Sequence, residues 1–150
     1  MFVLEPVSNS LGIASSQSLY SNDELFLYLQ KMKAARLTAN ILFTIFLIIC
    51  IAWHVVALAM HLENDPVYVH FVFLVCYGVC LLCLLKPIKY RTLIYCLAAI
   101  YPLYYHAHCA WVSYTVHDKF NAICILVVVE MPLIALWIWK QKDLDQLIAQ

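Results

Sequence analysis

The stretch ILFTIFLIICIAWHVVALAM, residues 41–60, contains twenty residues without a single charged side chain. About twenty mainly apolar residues in a helix are enough to cross the hydrocarbon core of a bilayer. Apolar stretches of this kind recur further along the chain. They predict four membrane-spanning helices at about residues 37–61, 67–85, 92–115 and 120–139.

The overall composition agrees with a membrane protein. Hydrophobic residues make up 65% of the 150-residue chain and charged residues 12%, against about half and a quarter in soluble globular domains. A single domain of this length has too little interior to hide so much apolar surface from water. The formal net charge is zero, and no dense basic cluster indicates nucleic-acid binding. We therefore expect the lipid bilayer to surround this chain.

The breaks between the apolar segments are short and polar. They read LENDP at 62–66, KPIKYR at 86–91 and VHDK at 116–119. Connections this short place consecutive helices side by side and antiparallel. The expected fold class is therefore all-α, an integral membrane four-helix up-down bundle.

The basic residues predict the orientation of this bundle. Eight of the nine lie before the first span, between the second and third, or after the fourth: Lys31, Lys33, Arg36, Lys86, Lys89, Arg91, Lys140 and Lys142. The positive-inside rule makes that side cytoplasmic. Both termini are then expected in the cytoplasm, and a bacterial inner membrane is the favoured location.

The residues that flank the four spans have a different character. Residues 1–20 include the serine-rich stretch SNSLGIASSQS and are expected to be loosely ordered. Residues 21–36 open with Ser21 and Glu24 at the spacing of a capping box and combine apolar and basic residues at helical spacing. They predict a short N-terminal amphipathic helix on the cytoplasmic surface. Residues 140–150 predict a polar cytoplasmic tail.

All six histidines fall in the half of the predicted bundle that lies away from the cytoplasm. They are His54, His61, His70, His106, His108 and His117. In the first span, steps of three and four residues join Asn40, Thr44 and His54 into one polar stripe. Polar groups in a membrane helix should face the bundle interior, so this stripe, which His61 continues, is expected to be buried and Phe46 or Leu42 to lie nearer lipid.

The third span contains a comparable line of polar and aromatic residues: Tyr101, Tyr104, His108, Trp111 and Thr115. His106 is about 200° around the helix from His108, so the two cannot face one site. Of these two residues, His108 is the stronger candidate for a site, because it lies in that line. Pro102 is expected to bend the span and can bring in His106 instead.

Glu130 lies near the middle of the fourth span. An ionised carboxylate is costly in hydrocarbon, so we expect this group to be protonated, paired or hydrated, and to lie against another helix. His54, His108 and Tyr104 are its candidate partners at similar depth. An acidic residue inside a membrane span is a functional-site hypothesis by default, and the alternative is a protonated acid that only joins two helices.

The simplest function that accounts for these residues is that of a non-enzymatic membrane protein. Such a protein would be an accessory, regulatory or immunity-type subunit that acts through helix–helix contacts. Its partner would be another membrane protein or a second copy of itself. The only glycines are Gly12 and Gly78, so there is no glycine-rich phosphate-binding loop, and catalytic activity is not expected.

Two other functions remain open. A haem- or metal-binding protein could hold haem b between His54 and either His108 or His106, which lie at matching depth. A copper or zinc site nearer the outer surface could use His61, His70 and His117 together with Glu63 or Asp65. The last alternative is a proton-linked transport or channel protomer that relays protons through Glu130 and the histidines.

Overall fold

The computed structural model describes residues 22–60 and 66–148. All regular structure in these ranges is helical: α1 (Asn22–Met60), α2 (Val67–Leu85), α3 (Arg91–Thr115) and α4 (Ala122–Ile148). The prediction of an all-α chain with four long helices is confirmed. The segment predicted to be loosely ordered, residues 1–20, lies outside the described residues, as does His61.

The first helix covers two elements that the sequence predicts separately. α1 runs without a break from Asn22 to Met60, so the predicted surface helix continues directly into the first predicted span. The chain divides into two compact units after Arg36. Within the first unit Phe26, Leu27 and Tyr28 are exposed.

Three helical segments are long and apolar enough to cross a membrane by length and composition: Phe26–Met60, Val67–Leu85 and Ala122–Gln141. They are compatible with an integral membrane protein. α3 has 25 residues and measures about 38 Å at the standard helical rise, so it too is long enough. Its tyrosines and histidines make it less apolar than the other three helices, and its crossing of the membrane stays a prediction.

Side-chain contacts show the relative direction of α3 and α4. Tyr95, near the start of α3, hydrogen-bonds the backbone carbonyl of Met131 in α4. His106, further along α3, contacts Cys124, which precedes Met131 in α4. Because the contacts move backward along α4 as α3 advances, the two helices are antiparallel. The connections 86–90 and 116–121 are short, as an up-down arrangement requires.

The core is formed mainly by α2, α3 and α4. Its most buried large residues are Phe73, Tyr77, Tyr95, Met131, Ile134 and Ile138. Leu47 is the fully buried contribution of α1. The backbone of α1 packs less closely against the other helices than α3 packs against its two neighbours. Contacts of individual side chains, rather than close backbone packing, therefore hold α1 in the bundle.

Candidate functional site

The main concentration of polar and aromatic side chains lies toward the end of the bundle where α1 leads into α2 and α3 into α4. We call it the histidine–aromatic cluster. Its members are His54, His70, Phe73, Tyr77, Tyr101, Tyr105 and His106. The rings of Phe73 and His54 stack with centroids 4.3 Å apart, and the Phe73 ring also lies 5.3 Å from that of His106. Phe73 therefore joins the contributions of α1, α2 and α3.

The first polar contact of the cluster links α1 to α2. His54 Nδ1 lies 3.1 Å from His70 Nδ1, and both residues are buried. A hydrogen bond at this distance requires one nitrogen to carry the proton and the other to accept it. At least one of the two imidazoles is therefore neutral, and either ring can be the donor.

The second polar contact links α2, α3 and α4. The Tyr77 hydroxyl lies 3.1 Å from His106 Nε2, and His106 Nδ1 lies 3.5 Å from Cys124 Sγ. A neutral imidazole offers one donor and one acceptor. The chain can therefore run from the tyrosine through the histidine to the thiol or in the opposite direction, and both directions engage both ring nitrogens of His106.

The structure corrects the expected buried face of α3. Tyr104 is 71% exposed, Trp111 is 68% exposed, and His108 is exposed as well. The inward face instead follows Tyr95, Ala99, Pro102 and His106, at spacings of three and four residues. Helices α2 and α4 pack against this inward face, and the helical rotation of about 200° then directs His108 outward. His108 is therefore outside the cluster.

His108 and His117 both lie away from the cluster. The ring of His108 stacks on that of Tyr104, with centroids 6.4 Å apart. His117 is exposed in the connection between α3 and α4. The cluster thus brings together His54, His70 and His106, three of the six predicted histidines.

A third polar contact lies toward the opposite end of the same bundle. Asn40 Oδ1 accepts hydrogen bonds of 2.7 Å from Trp137 Nε1 and from Gln141 Nε2. Gln141 is only 2% exposed, whereas its sequence position suggested a polar tail. The polar stripe of α1 thus contacts the bundle through Asn40 and His54. Leu42 is 61% exposed, whereas Phe46 packs against the core.

Glu130 is half-buried on α4. Within the described ranges, no hydrogen bond or ion pair joins it to His54, His108, Tyr104 or another side chain. The structure therefore supplies none of the partners that were expected for this carboxyl group.

The described residues do not fit the expected metal or haem sites. In residues 22–60 and 66–148, no group of three or more His, Cys, Asp or Glu side chains could hold a metal ion. Two imidazoles that share one iron need their nitrogens about 2 Å from it on opposite sides. His54 and His70 are instead hydrogen-bonded directly, and Phe73 packs against both His54 and His106, which leaves no place for a porphyrin.

The residues expected to bind copper or zinc are likewise not brought together. Of the predicted histidine ligands, His70 is buried against His54 and His117 is exposed on the connection between α3 and α4. His61, Glu63 and Asp65 lie outside the described residues. The described geometry therefore supports neither haem b nor a copper or zinc ion at these positions.

No site role was predicted from the sequence for four residues: Phe73 and Tyr77 of the histidine–aromatic cluster, Cys124 beside His106, and Gln141 beside Asn40. A partial signal exists, because Phe73 and Tyr77 follow His70 at steps of three and four residues along α2. Trp137 and Gln141 are likewise four residues apart on one face of α4.

No known protein family, curated protein or solved structure matches this chain. Its distinguishing structural features are a four-helix bundle, three apolar helices of membrane-spanning length and a buried histidine–aromatic cluster.

Proposed function

We propose that this chain is a non-enzymatic integral membrane protein that acts as an accessory or regulatory subunit through helix–helix contacts. In this proposal α3 also crosses the membrane. The bilayer is a bacterial inner membrane and both termini are cytoplasmic. The supporting observation is a polar stripe on the outward face of α3, formed by Tyr104, His108, Trp111 and Thr115, all exposed. We call it the α3 stripe.

The position of the α3 stripe makes its exposure costly in lipid. Tyr104 lies eleven residues before Thr115, the last residue of α3, which corresponds to about 16 Å along the helix. Its hydroxyl would then lie near the middle of the bilayer. A polar group that faces hydrocarbon without a partner is unfavourable. A neighbouring membrane helix with polar side chains would satisfy Tyr104 and His108, at about 1 kcal/mol per contact.

A groove beside the stripe supports the same conclusion. It has a volume of about 320 Å³ and is lined by Ala107, Ala110, Trp111, Tyr114, Ile125 and Val128. Small residues such as alanine allow a second helix to approach closely. The groove would accept a bulky apolar side chain of the partner helix, while the stripe would hydrogen-bond to its polar side chains.

These features favour a different membrane protein over a second copy of this chain. In a two-fold symmetric pair each residue near the axis meets its own equivalent. The stripe would then place Tyr104 and Trp111 against themselves, whereas close helix pairs prefer small residues at the axis. A helix of different sequence can supply a side chain for the groove and polar groups for the stripe.

Site-specific photo-crosslinking in membranes of the native host tests this proposal. A benzophenone amino acid at Ala107, in the groove, should give one discrete adduct, and the same group at Leu42 on α1 should not. Replacing both Tyr104 and His108 by leucine should lower the yield at Ala107 at least fivefold, the factor for a loss of about 1 kcal/mol.

The mass of the adduct decides between the possible partners. The chain has a mass of 17.3 kDa, so an adduct that contains only two copies of it would replace the proposal by self-association. Equal labelling from Ala107 and Leu42, or no adduct at either position, would contradict a specific contact on α3.

Reporter fusions test the proposed orientation of the chain in the membrane. A reporter fused after Lys89 should behave as cytoplasmic, and one fused after Lys119 should behave as external, because the basic connection is retained inside. The reverse result would contradict the orientation, while two reporters on the same side would show that α3 does not cross the membrane.

A further inference from the structure

A cavity of about 220 Å³ adjoins the histidine–aromatic cluster between α1 and α4. Its buried wall includes His54, Tyr77 and His106, three members of the cluster. Its remaining wall is formed largely by apolar side chains of α1 and α4. The cavity is thus a small apolar space with a polar inner wall.

The entrance of the cavity faces outward from the bundle. Three of its apolar lining residues are largely exposed: Ile49 at 61%, Ile123 at 66% and Leu126 at 50%. In a membrane, a surface of this composition contacts lipid chains. A molecule that enters here therefore comes from the hydrocarbon phase of the bilayer.

The inner wall selects for an uncharged polar group. None of the described residues that line the cavity is Asp, Glu, Lys or Arg, so an ion would lose its hydration without a counter-charge. A tyrosine hydroxyl can donate one hydrogen bond and accept others, and a neutral histidine presents one donor and one acceptor. A hydroxyl or carbonyl oxygen on the bound molecule matches these groups.

The volume limits the size of the group that can enter. A protein cavity of about 150 Å³ is large enough for benzene, and pockets for drug-sized molecules start at about 300 Å³. The volume found here lies between these values and fits a single substituted ring. The looser packing of the α1 backbone allows this part of the bundle to adapt to such a ring.

We propose that this cavity binds the ring of a neutral, membrane-dissolved molecule that carries a hydroxyl or carbonyl oxygen. The oxygen hydrogen-bonds to the inner wall at Tyr77 and the two histidines, and the rest of the molecule stays in lipid. This site is separate from the α3 stripe and its groove, and binding here does not depend on a protein partner.

A matched pair of fluorinated probes tests the proposal on the full chain in lipid nanodiscs. 4-(Trifluoromethyl)phenol carries the required oxygen on one ring, and trifluoromethylbenzene lacks it. Binding is followed by fluorine NMR, and titration of empty nanodiscs corrects for partitioning into lipid. After that correction the phenol should bind at least fivefold more tightly, the ratio expected for about one hydrogen bond.

Two variants on the surface of α4 locate the binding site. Leu126 lines the cavity and Val129 does not, yet both are 50% exposed. Leu126→Trp should fill the entrance and weaken binding of the phenol at least tenfold. Val129→Trp adds the same side chain to the lipid-facing surface and should change binding less than twofold. Both positions are at the surface, so neither variant disturbs the core.

A third variant tests the polar wall. Tyr77→Phe retains the ring and removes only the hydroxyl, so the advantage of the phenol over trifluoromethylbenzene should fall at least threefold. Circular dichroism confirms that each variant remains helical.

Several results would overturn the proposal. Binding of neither probe beyond the level in empty nanodiscs would do so, and so would equal effects of Leu126→Trp and Val129→Trp. Equal affinities for the two probes after correction would show that the oxygen is not recognised. Should Tyr77→Phe fail to fold, the two α4 variants and the probe pair still decide the outcome.

Discussion

His106 and His108 are two residues apart on α3 but have opposite surroundings. His106 is half-buried and contacts Tyr77 and Cys124. His108 is exposed and stacks on Tyr104 of its own helix. The same side-chain chemistry therefore serves packing between helices in one case and faces the surroundings of the protein in the other.

Substitutions on the two faces of α3 should therefore have different effects. A change on the inward face of α3, or on the side chains packed against it, should alter the stability of the isolated chain. A change on the outward face should leave that stability nearly unchanged and act only on association with a partner. Matched substitutions on the two faces can measure this separation.

The largest effect is expected from Phe73→Ala. Phe73 is 1% exposed, and its ring contacts those of His54, Tyr105 and His106. Loss of a buried phenylalanine ring leaves a cavity and should lower the free energy of unfolding by about 3 kcal/mol. Phe71→Ala removes the same atoms from a side chain that is 58% exposed and should cost less than about 0.5 kcal/mol.

Unfolding in mixed micelles by titration with dodecyl sulfate, followed by circular dichroism, measures both variants. Equal losses of stability for Phe71→Ala and Phe73→Ala would contradict the burial of Phe73 and the exposure of Phe71 on opposite faces of α2.

The next effect is expected from His106→Leu. This change removes the nitrogen that contacts the Tyr77 hydroxyl and leaves that buried hydroxyl with the weakly hydrogen-bonding Cys50 thiol, at a cost of about 2 kcal/mol. His108→Leu should change the free energy of unfolding by less than about 0.5 kcal/mol. The same detergent titration compares the two variants.

A double substitution provides the control for this interpretation. Replacing both partners of a buried hydrogen bond by apolar groups is often nearly neutral. Tyr77→Phe combined with His106→Leu should therefore recover part of the stability lost in His106→Leu alone. If the losses simply add, the contact between these two residues contributes nothing beyond their separate packing.

The helices and the inward face of α1 could be predicted because both depend on local patterns. Four apolar stretches with short polar breaks define four helices, and the polar residues of the first span occur on one side only. Asn40 and His54 are consequently directed to the bundle interior, and Leu42 away from it.

The inward face of α3 could not be predicted in this way because polar and aromatic residues occur on both of its sides. The choice between His106 and His108 is made by packing against Met131, Cys124 and Phe73 on other helices. Gln141 was missed for a related reason. Its partner Asn40 is one hundred and one positions earlier in the chain, and no local pattern reveals such a contact.

A smaller effect is expected from Asn40→Leu. Asn40 is the common acceptor for the Trp137 indole and the Gln141 amide. Its loss leaves two donors without this oxygen and should cost about 1 kcal/mol, typical of a polar contact between membrane helices. Leu42→Ala, on the exposed side of α1, is the control and should cost less. A loss of stability no larger than that of the control would mean that α1 is held by His54 and Leu47 alone.

The smallest effect is expected from Glu130→Gln. No described residue forms an ion pair with Glu130, and glutamine has nearly the same shape without the charge. The change should therefore alter the free energy of unfolding by less than about 0.5 kcal/mol, whereas breaking a buried ion pair costs about 3 kcal/mol or more. A loss of that size in the detergent titration would reveal a charged partner.

The same variant also tests whether Glu130 has a role beyond packing. If Glu130→Gln keeps full stability but lowers the crosslink yield from Ala107, the carboxyl group contributes to association with the partner. If stability and crosslinking both stay at the level of the unaltered chain, Glu130 is a residue that the bundle merely accommodates. The outward face of α3 would then account for the association without an acidic group, because hydrogen bonds from Tyr104 and His108 need no charge to hold a second helix.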